Sequence, residues 1–408
     1  MTSLKFSGKS YAWFVVGLLW VVAFLNYFDR ILITSMRDPI VKAFTIDDAQ
    51  FGLLTSVFLW SYGILSPLGG YFADRYGRKP VIIFSVAVWS IVTLWTGFAQ
   101  TFHEMVAARL CMGISEACYI PAALALIADY HKGSTRSLAT GIHMSGLYAG
   151  LALGGLGGYM SELWGWRYGF QLFGFFGVLY AVLLVVFLRK QNYTAPKERG
   201  IDEPVVTPVK LSQAFRLFSN LSFRILLFYF CAYGIVNWLI YAWLPTFLKS
   251  HFHLGLGKAG ISATGYVQIG SFAGVLLGGF LADRWHQFNK RGRVYIIIIG
   301  FTIGAPFLFL MSSTYSFAVA IASMIMYGIA RGFNDANLMP VLCQVVDQKY
   351  IATGYGFLNF LSTIVGGIMV FVGGVLRDTN VNLSVIYGSS AVLLLLTAWS
   401  LFFIKIKK

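Results

Sequence analysis

Twelve mostly apolar runs follow one another along the 408-residue chain, separated by short polar stretches. A run of about 20 such residues matches the hydrocarbon thickness of a bilayer. Inside hydrocarbon every backbone N–H and C=O must be satisfied within the segment, so each run is expected to be a helix. The spacing predicts spans at 11–36, 49–72, 79–100, 102–129, 136–160 and 166–189, then 221–248, 258–283, 293–312, 315–346, 351–376 and 383–405. These are numbered spans 1 to 12. Only 12% of residues are charged, against about 25% in soluble proteins. A soluble enzyme, a secreted disulfide scaffold and a disordered chain are excluded, leaving an all-α integral membrane protein. No small-residue cleavage site follows the N-terminal MTSLKFSGKS, so the first run is expected to be a retained helix. Cys111, Cys118, Cys231 and Cys343 lie in apolar runs without framework spacing and read as reduced packing residues.

The net charge of +15 could suggest a nucleic-acid partner, but the cations punctuate the apolar runs instead of clustering in one domain. They read as topology. Of the 31 Lys and Arg residues, 22 fall on the side holding both termini, six on the other, and Arg30, Arg109 and Arg331 fall inside spans. The positive-inside bias places both termini in the cytoplasm of a cell inner (plasma) membrane protein. The one long polar segment divides the chain into a six-helix unit at 1–190, a linker at 191–220 and a second six-helix unit at 221–408. Gly70-Tyr-Phe-Ala-Asp74-Arg75 recurs as Gly279-Phe-Leu-Ala-Asp283-Arg284 at the equivalent place in the second unit. Two parallel repeats around a midplane site are a transporter architecture. Glycines at intervals of four in span 5 (Gly146, Gly150, Gly154, Gly158) and span 8 (Gly270, Gly274, Gly278) are expected to line a smooth interface between the two halves.

An ionisable side chain at mid-bilayer costs at least about 2.5–3.5 kcal/mol, which makes a retained one a functional candidate. Span 1 carries Asn26-Tyr27-Phe28-Asp29-Arg30 and span 4 carries Arg109 and Glu116. Seven residues, two turns, separate Arg109 from Glu116, about 10 Å along one helix face. They cannot neutralise each other at close contact, and Asp29 and Arg30 are the groups available to lie between or beside them. Two acids and two guanidiniums balance; protonating one acid makes the site net positive and suited to an anion. Glu116 and Asp29 are assigned as proton carriers, Arg109 as the residue that tunes Glu116, and Arg30 as the bidentate ligand of a substrate carboxylate.

These residues resemble a major facilitator superfamily transporter. The Gly70-x-x-x-Asp74-Arg75-x-Gly77-Arg78-Lys79 stretch is similar to the superfamily's loop between helices 2 and 3. The charged residues of spans 1 and 4 resemble the anion:cation symporter family, which includes hexuronate, aldonate and sialate carriers. Gly113-Ile-Ser-Glu116-Ala-Cys-Tyr119 and Leu126-Ile-Ala-Asp129 resemble the Spinster lipid transporters, and Ser145-Gly146-Leu147 departs from the Ser-Gly-Gln of sugar-acid carriers. The resemblance implies twelve helices in two pseudo-symmetric bundles and proton-coupled import of a small organic anion, a sugar acid, by alternating access. The alternative is a Spinster-like transporter or exporter of a lysolipid or other amphipathic cargo.

Asp74, Arg75, Arg78 and Lys79, with Gly70, Gly77, Asp283 and Arg284, form a candidate conformational latch, with Arg136 as a partner for Asp74; a purely topogenic role for the cations is the alternative, though it would not require the Asp. Tyr27, Asn237, Tyr241 and Asn359 offer hydroxyl and amide groups for a polyol or, equally, for interhelical hydrogen bonds. Asn26 joins them beside Arg30. His143 fits a packing histidine or a secondary proton or substrate contact. Arg331, Asn334 and Asp335 form a polar cluster in span 10, readable as an i,i+4 pair or as cavity lining. His251-x-His253 and Gly255-x-Gly257-x-x-Gly260 lack the context of a metal or nucleotide site. The expected partners are a small organic anion, protons and the lipid bilayer, with no nucleic acid, no cofactor beyond the proton gradient, and a monomeric chain.

Overall fold

The computed structural model describes residues 8–131, 135–188, 215–347 and 350–406, with backbone alone at 8, 9, 70, 74, 137, 215, 216 and 352. Most of the 191–220 linker therefore lies outside the described residues. Among those described, eleven helices are long and apolar enough to cross a membrane. The twelfth crossing, span 5, runs as Arg136–Leu153, a 3₁₀ turn at Gly154–Leu156, and Gly157–Trp164. The remaining spans are Gly8–Leu32, Asp48–Tyr76, Arg78–Thr96, span 4 in two pieces (Phe102–Glu116 and Tyr119–Tyr130), Trp166–Phe187, Leu221–Phe252, Leu256–His286, Gly292–Ser313, Phe317–Val345, Ile351–Asp378 and Leu383–Ser400. Span 1 continues through a 3₁₀ turn into a short helix, Arg37–Phe44, along the face opposite the termini. That face is called the far face.

Short polar residues punctuate the apolar runs where helices begin. Asp47 opens span 2 with a reciprocal capping box to Gln50, Thr101 Oγ1 accepts the Glu104 N–H at span 4, and Asn220 and Asn382 cap spans 7 and 12. Each satisfies backbone donors that a helix start leaves open.

Packing repeats with a shift of six. Span 1 packs on span 5 and span 7 on span 11, span 2 on 4 and 8 on 10, span 3 on 6 and 9 on 12. The halves meet through span 2 on span 11 and, six further on, span 8 on span 5. The fold is thus twelve spans in two pseudo-symmetric six-helix bundles.

The glycine ladders do something other than expected. A Cβ on Gly146 or Gly150 would lie 2.6 or 2.4 Å from the Trp20 or Phe24 carbonyl oxygen, and one on Gly154 2.6 Å from Ile31, all in span 1. Likewise Gly270, Gly274 and Gly278 press on Ile325, Ile329 and Phe333 of span 10. The ladders therefore bind helices within each half. Only Gly158 reaches the other half, where its Cβ would meet Leu256 O at 2.3 Å. The cause is helical drift: residues four apart advance about 40°, so three steps carry the row from span 1 round to span 8. The second glycine that seals the halves there is Gly155, whose Cβ would lie 2.2 Å from Gly260 O. Among the four unpaired cysteines, Cys111, Cys118 and Cys231 are half-buried, while Cys343 is exposed and so is not the packing residue expected.

Candidate functional site

Spans 1 to 4 bring the four predicted intramembrane charges together. Arg30 Nε donates to Glu116 Oε2 at 2.7 Å, with the side chains 3% and 0% exposed. Asp29 Oδ2 accepts from Thr93 Oγ1 at 3.1 Å. Arg109, which the spacing placed on one face with Glu116, turns instead to span 2: its Nε donates to Leu54 O at 3.3 Å and its guanidinium lies 4.8 Å from the centre of the Phe58 ring. Arg30 lies 5.1 Å from the same ring and 4.6 and 4.3 Å from those of Tyr27 and Tyr62. Aromatic faces stabilise a desolvated cation, so the two guanidiniums share one ring while only one of them pairs with a carboxylate.

This island keeps unused bonding capacity. Asp29 Oδ1, Glu116 Oε1, Arg30 Nη2, Arg109 Nη2 and both amide atoms of Asn26 are buried without a hydrogen-bond partner. An unsatisfied buried polar atom costs about 1–3 kcal/mol and more when charged. Such a cluster is poorly designed for stability alone and well suited to receive a ligand, a proton or water.

The backbone is specialised at the same point. Span 4 breaks directly after Glu116, at Ala117 and Cys118. In a continuous helix the Ser115 carbonyl would accept from Tyr119; here it accepts from Ser85 Oγ at 2.5 Å. A Cβ on Gly69 of span 2 would lie 2.4 Å from Ala117 O at the break, and one on Gly113 would lie 2.5 Å from Phe58 O of span 2, so both glycines let the two spans meet closely. Discontinuous helices at mid-membrane are the usual housing of transporter binding sites. Ser85, Thr93, Phe58 and Tyr62 line the candidate site and went unnoticed in the sequence, since nothing marks one serine or phenylalanine among many in apolar runs.

The second half holds a looser cluster. Arg331 Nε lies 3.6 Å from Asp335 Oδ2 and donates to Tyr233 OH at 3.3 Å. Tyr233 OH in turn donates to Asp335 Oδ1 at 2.7 Å, and Asn334 Nδ2 reaches the same oxygen at 3.2 Å. Tyr229 OH donates to Asn334 Oδ1 at 2.7 Å. The Arg331 guanidinium lies 5.1 Å from the centre of the Tyr241 ring, whose hydroxyl accepts from Gln268 Nε2 at 3.1 Å. Arg331 Nη1 and Tyr327 OH have no partner. Tyr241 also packs with Ile31 and Leu151 and against Tyr27, Tyr148 and Trp238, which joins the two clusters across the halves. Asn237 and Asn359 are half-buried. His143 is fully buried against the edge of the Tyr119 ring, three residues after Glu116.

At the face carrying the termini, Gly70 is described by its backbone alone and the side chain of Asp74 lies outside the described residues. Arg75 is exposed and donates to Tyr71 OH at 2.7 Å. After Gly77, in the left-handed region at φ 91°, Arg78 pairs with Asp129 and donates to Ala125 O at 2.7 Å, which ties span 3 to the end of span 4. Lys79 Nζ donates to Val185 O at 3.3 Å. Asp283 pairs with Arg293 at 2.9 Å, and Arg284 is exposed.

The far face is sealed. Asp378 of span 11 accepts the Asp48 and Ala49 N–H groups at 2.9 and 2.8 Å, capping span 2 from the other half. Arg377 and Arg37 both pair with Asp48, and Lys249 pairs with Asp38. Below them Ser56 Oγ donates to Gly367 O at 2.7 Å and Trp60 Nε1 to Ile364 O at 3.3 Å. This seam reaches about 18 Å inward, twelve residues of span 2.

The pattern described as the Major Facilitator Superfamily matches residues 19–371. Protein spinster homolog 1 of Xenopus laevis is 31% identical over 370 residues, covering 86% of this chain and 70% of that protein. The human protein of the same name is 30% identical, with 86% and 70% covered. A protein of Escherichia coli described as "Probable galactarate/D-glucarate transporter" is 24% identical over 406 residues, covering 91% and 89%. Among solved structures, a bacterial homolog to human lysosomal transporter Spinster, inward-facing and unoccupied, overlays with a TM-score of 0.78 at 24% identity and 97% coverage of both chains.

Proposed function

Because the chain belongs to the Major Facilitator Superfamily, and so is a multi-pass membrane transporter and not an enzyme, we propose that it couples proton entry to the import of a small organic anion. The observation that carries this reading is the buried Arg30–Glu116 contact, with one unpartnered atom left on each side. A substrate carboxylate and the Glu116 carboxylate compete for the same guanidinium. Protonation of Glu116 resolves the competition: the acid gives up its claim on Arg30, whose planar fork then takes the incoming anion. Proton and anion enter together, and the island returns to its original net charge. Asp29, held by the Thr93 hydroxyl, is the second proton station, and Arg109 supplies fixed positive charge beside it.

The Arg331–Asp335–Tyr233 cluster gives the substrate a second contact from the other half, so bound cargo bridges the two bundles that move against each other. A sugar acid fits this pair of anchors, with its carboxylate on Arg30 and its hydroxyls toward Tyr241, Gln268 and Asp335. The apolar collar of Ile31, Leu151, Trp238 and Tyr148 between the clusters favours a second reading, an amphipathic anion with a lipid tail, in keeping with the higher identity to the spinster proteins. The cycle runs in the cell inner membrane with both termini cytoplasmic and the chain monomeric.

Thermal-shift screening of the purified protein across uronates, aldonates, sialate, amino-acid anions and lysolipids separates the cargo readings. Uptake of the stabilising compound into proteoliposomes then tests coupling. Acid outside should drive its accumulation, and equal uptake with and without the gradient would overturn the proposal.

A further inference from the structure

Where spans 8, 9 and 12 reach the face carrying the termini, they enclose an open hollow of about 560 Å³ lined by Lys290, Arg291, Phe402, Phe403, Lys405 and Ile406. That volume falls within the range of small-ligand sites, about 300–1,000 Å³. Its lining contains three cations and no acid. Lys290 and Lys405 are exposed and form no ion pair among the described residues, while Asp283, seven residues before Lys290, pairs with Arg293. The rim is built firmly. Arg291 Nη2 donates to Phe402 O at 2.6 Å and to Ile404 O at 2.8 Å, locking the end of span 12 onto the turn between spans 8 and 9. Asn289 Oδ1 accepts the Arg291 N–H at 2.9 Å, and Gln344 Nε2 donates to Lys290 O at 3.1 Å. Beside the cations stand bare aromatic rings: Phe403 is 74% exposed and Phe288 85%.

We propose that this hollow binds one anionic phospholipid of the surrounding membrane, with its phosphodiester between Lys290 and Lys405 and its acyl chains along Phe402 and Phe403. The positive charge, unpaired among the described residues, selects an anion, and the adjoining exposed rings at the end of a membrane-spanning helix select one that carries hydrocarbon. A free phosphate satisfies only the first requirement. Each cation at an anionic membrane surface strengthens attachment about fivefold, so Lys290 and Lys405 together give an effect on the order of tenfold or more. The site lies at the outer edge of the second bundle, away from the charge island, and stands whether or not the transport reading holds.

The test uses the full chain in phosphatidylcholine vesicles doped with a photoactivatable phosphatidylglycerol, with adducts mapped by mass spectrometry. Adducts should concentrate at Lys290 and residues 402–406, fall on the order of tenfold in Lys290→Gln/Lys405→Gln, and persist in Lys290→Arg/Lys405→Arg. Unlabelled phosphatidylglycerol should compete, and inorganic phosphate should not. Adducts spread evenly over this face of the wild-type protein, adducts that survive the glutamine substitutions, or equal competition by inorganic phosphate would each overturn the proposal.

Discussion

The two intramembrane clusters hold their charge in different ways. In the first half Arg30 and Glu116 are in direct contact, wholly enclosed, and surrounded by atoms with nothing to bond. In the second half Arg331 and Asp335 stand 3.6 Å apart, tyrosine hydroxyls share the bonding, and Asp335 keeps 21% of its side chain exposed. A tight, enclosed ion pair changes state when a proton or a competing ion intervenes. A loose, hydroxyl-padded pair can exchange partners at little cost. On the proposed reading the first cluster trades its proton for the substrate carboxylate and the second adds a further contact to the cargo, a difference that substitution can break.

The largest expected effect belongs to Arg30→Met. It strands a buried Glu116 without its cation, which costs about 3–5 kcal/mol, and transport should fall to background. Adding Glu116→Gln should restore most of the lost stability in thermal unfolding but no accumulation. A single variant as stable as wild type would erase the contrast between the clusters. Arg331→Met should cost less, about 1–2 kcal/mol, because Asp335 retains the Tyr233 and Asn334 donors. It should weaken apparent affinity by about tenfold, the worth of one charge-assisted contact, while the accumulation ratio at saturating substrate holds. Loss of the ratio at full occupancy would move coupling into the second half.

A smaller effect tests the break in span 4. Ser85→Ala removes the hydroxyl that draws off the Ser115 carbonyl, a change of about 1 kcal/mol. The helix should then close across Ala117, with slower hydrogen exchange at Tyr119 and weaker coupling; unchanged exchange would deny Ser85 its role. Comparable in size is Tyr233→Phe, about 0.5–1.5 kcal/mol in stability, with substrate affinity reduced and proton coupling intact.

Much of this was legible in the residues. Twelve spans follow from exclusion of water, which acts on each segment independently of its neighbours. The four charges of spans 1 and 4 were legible for the same reason, since hydrocarbon makes them conspicuous. Which partner each would take was not. Arg109 lies two turns from Glu116 yet bonds to Leu54, because azimuth and the approach of a second helix decide pairing. The glycine ladders announced close helix contact correctly and misidentified its partner, since a period of four fixes spacing and leaves the neighbour open. The Asp378 cap on span 2 joins residues 330 apart in the chain, and no local pattern signals it.

On the proposed reading, proton transfer to Glu116 is the step that frees Arg30. Its most direct test follows a pH-sensitive dye trapped in proteoliposomes when the anion identified by the thermal-shift screen is added outside. The wild-type protein should acidify the lumen as the anion enters, and Glu116→Gln should exchange that anion across the membrane with no change in dye signal. Acidification by Glu116→Gln at the wild-type rate would contradict the account.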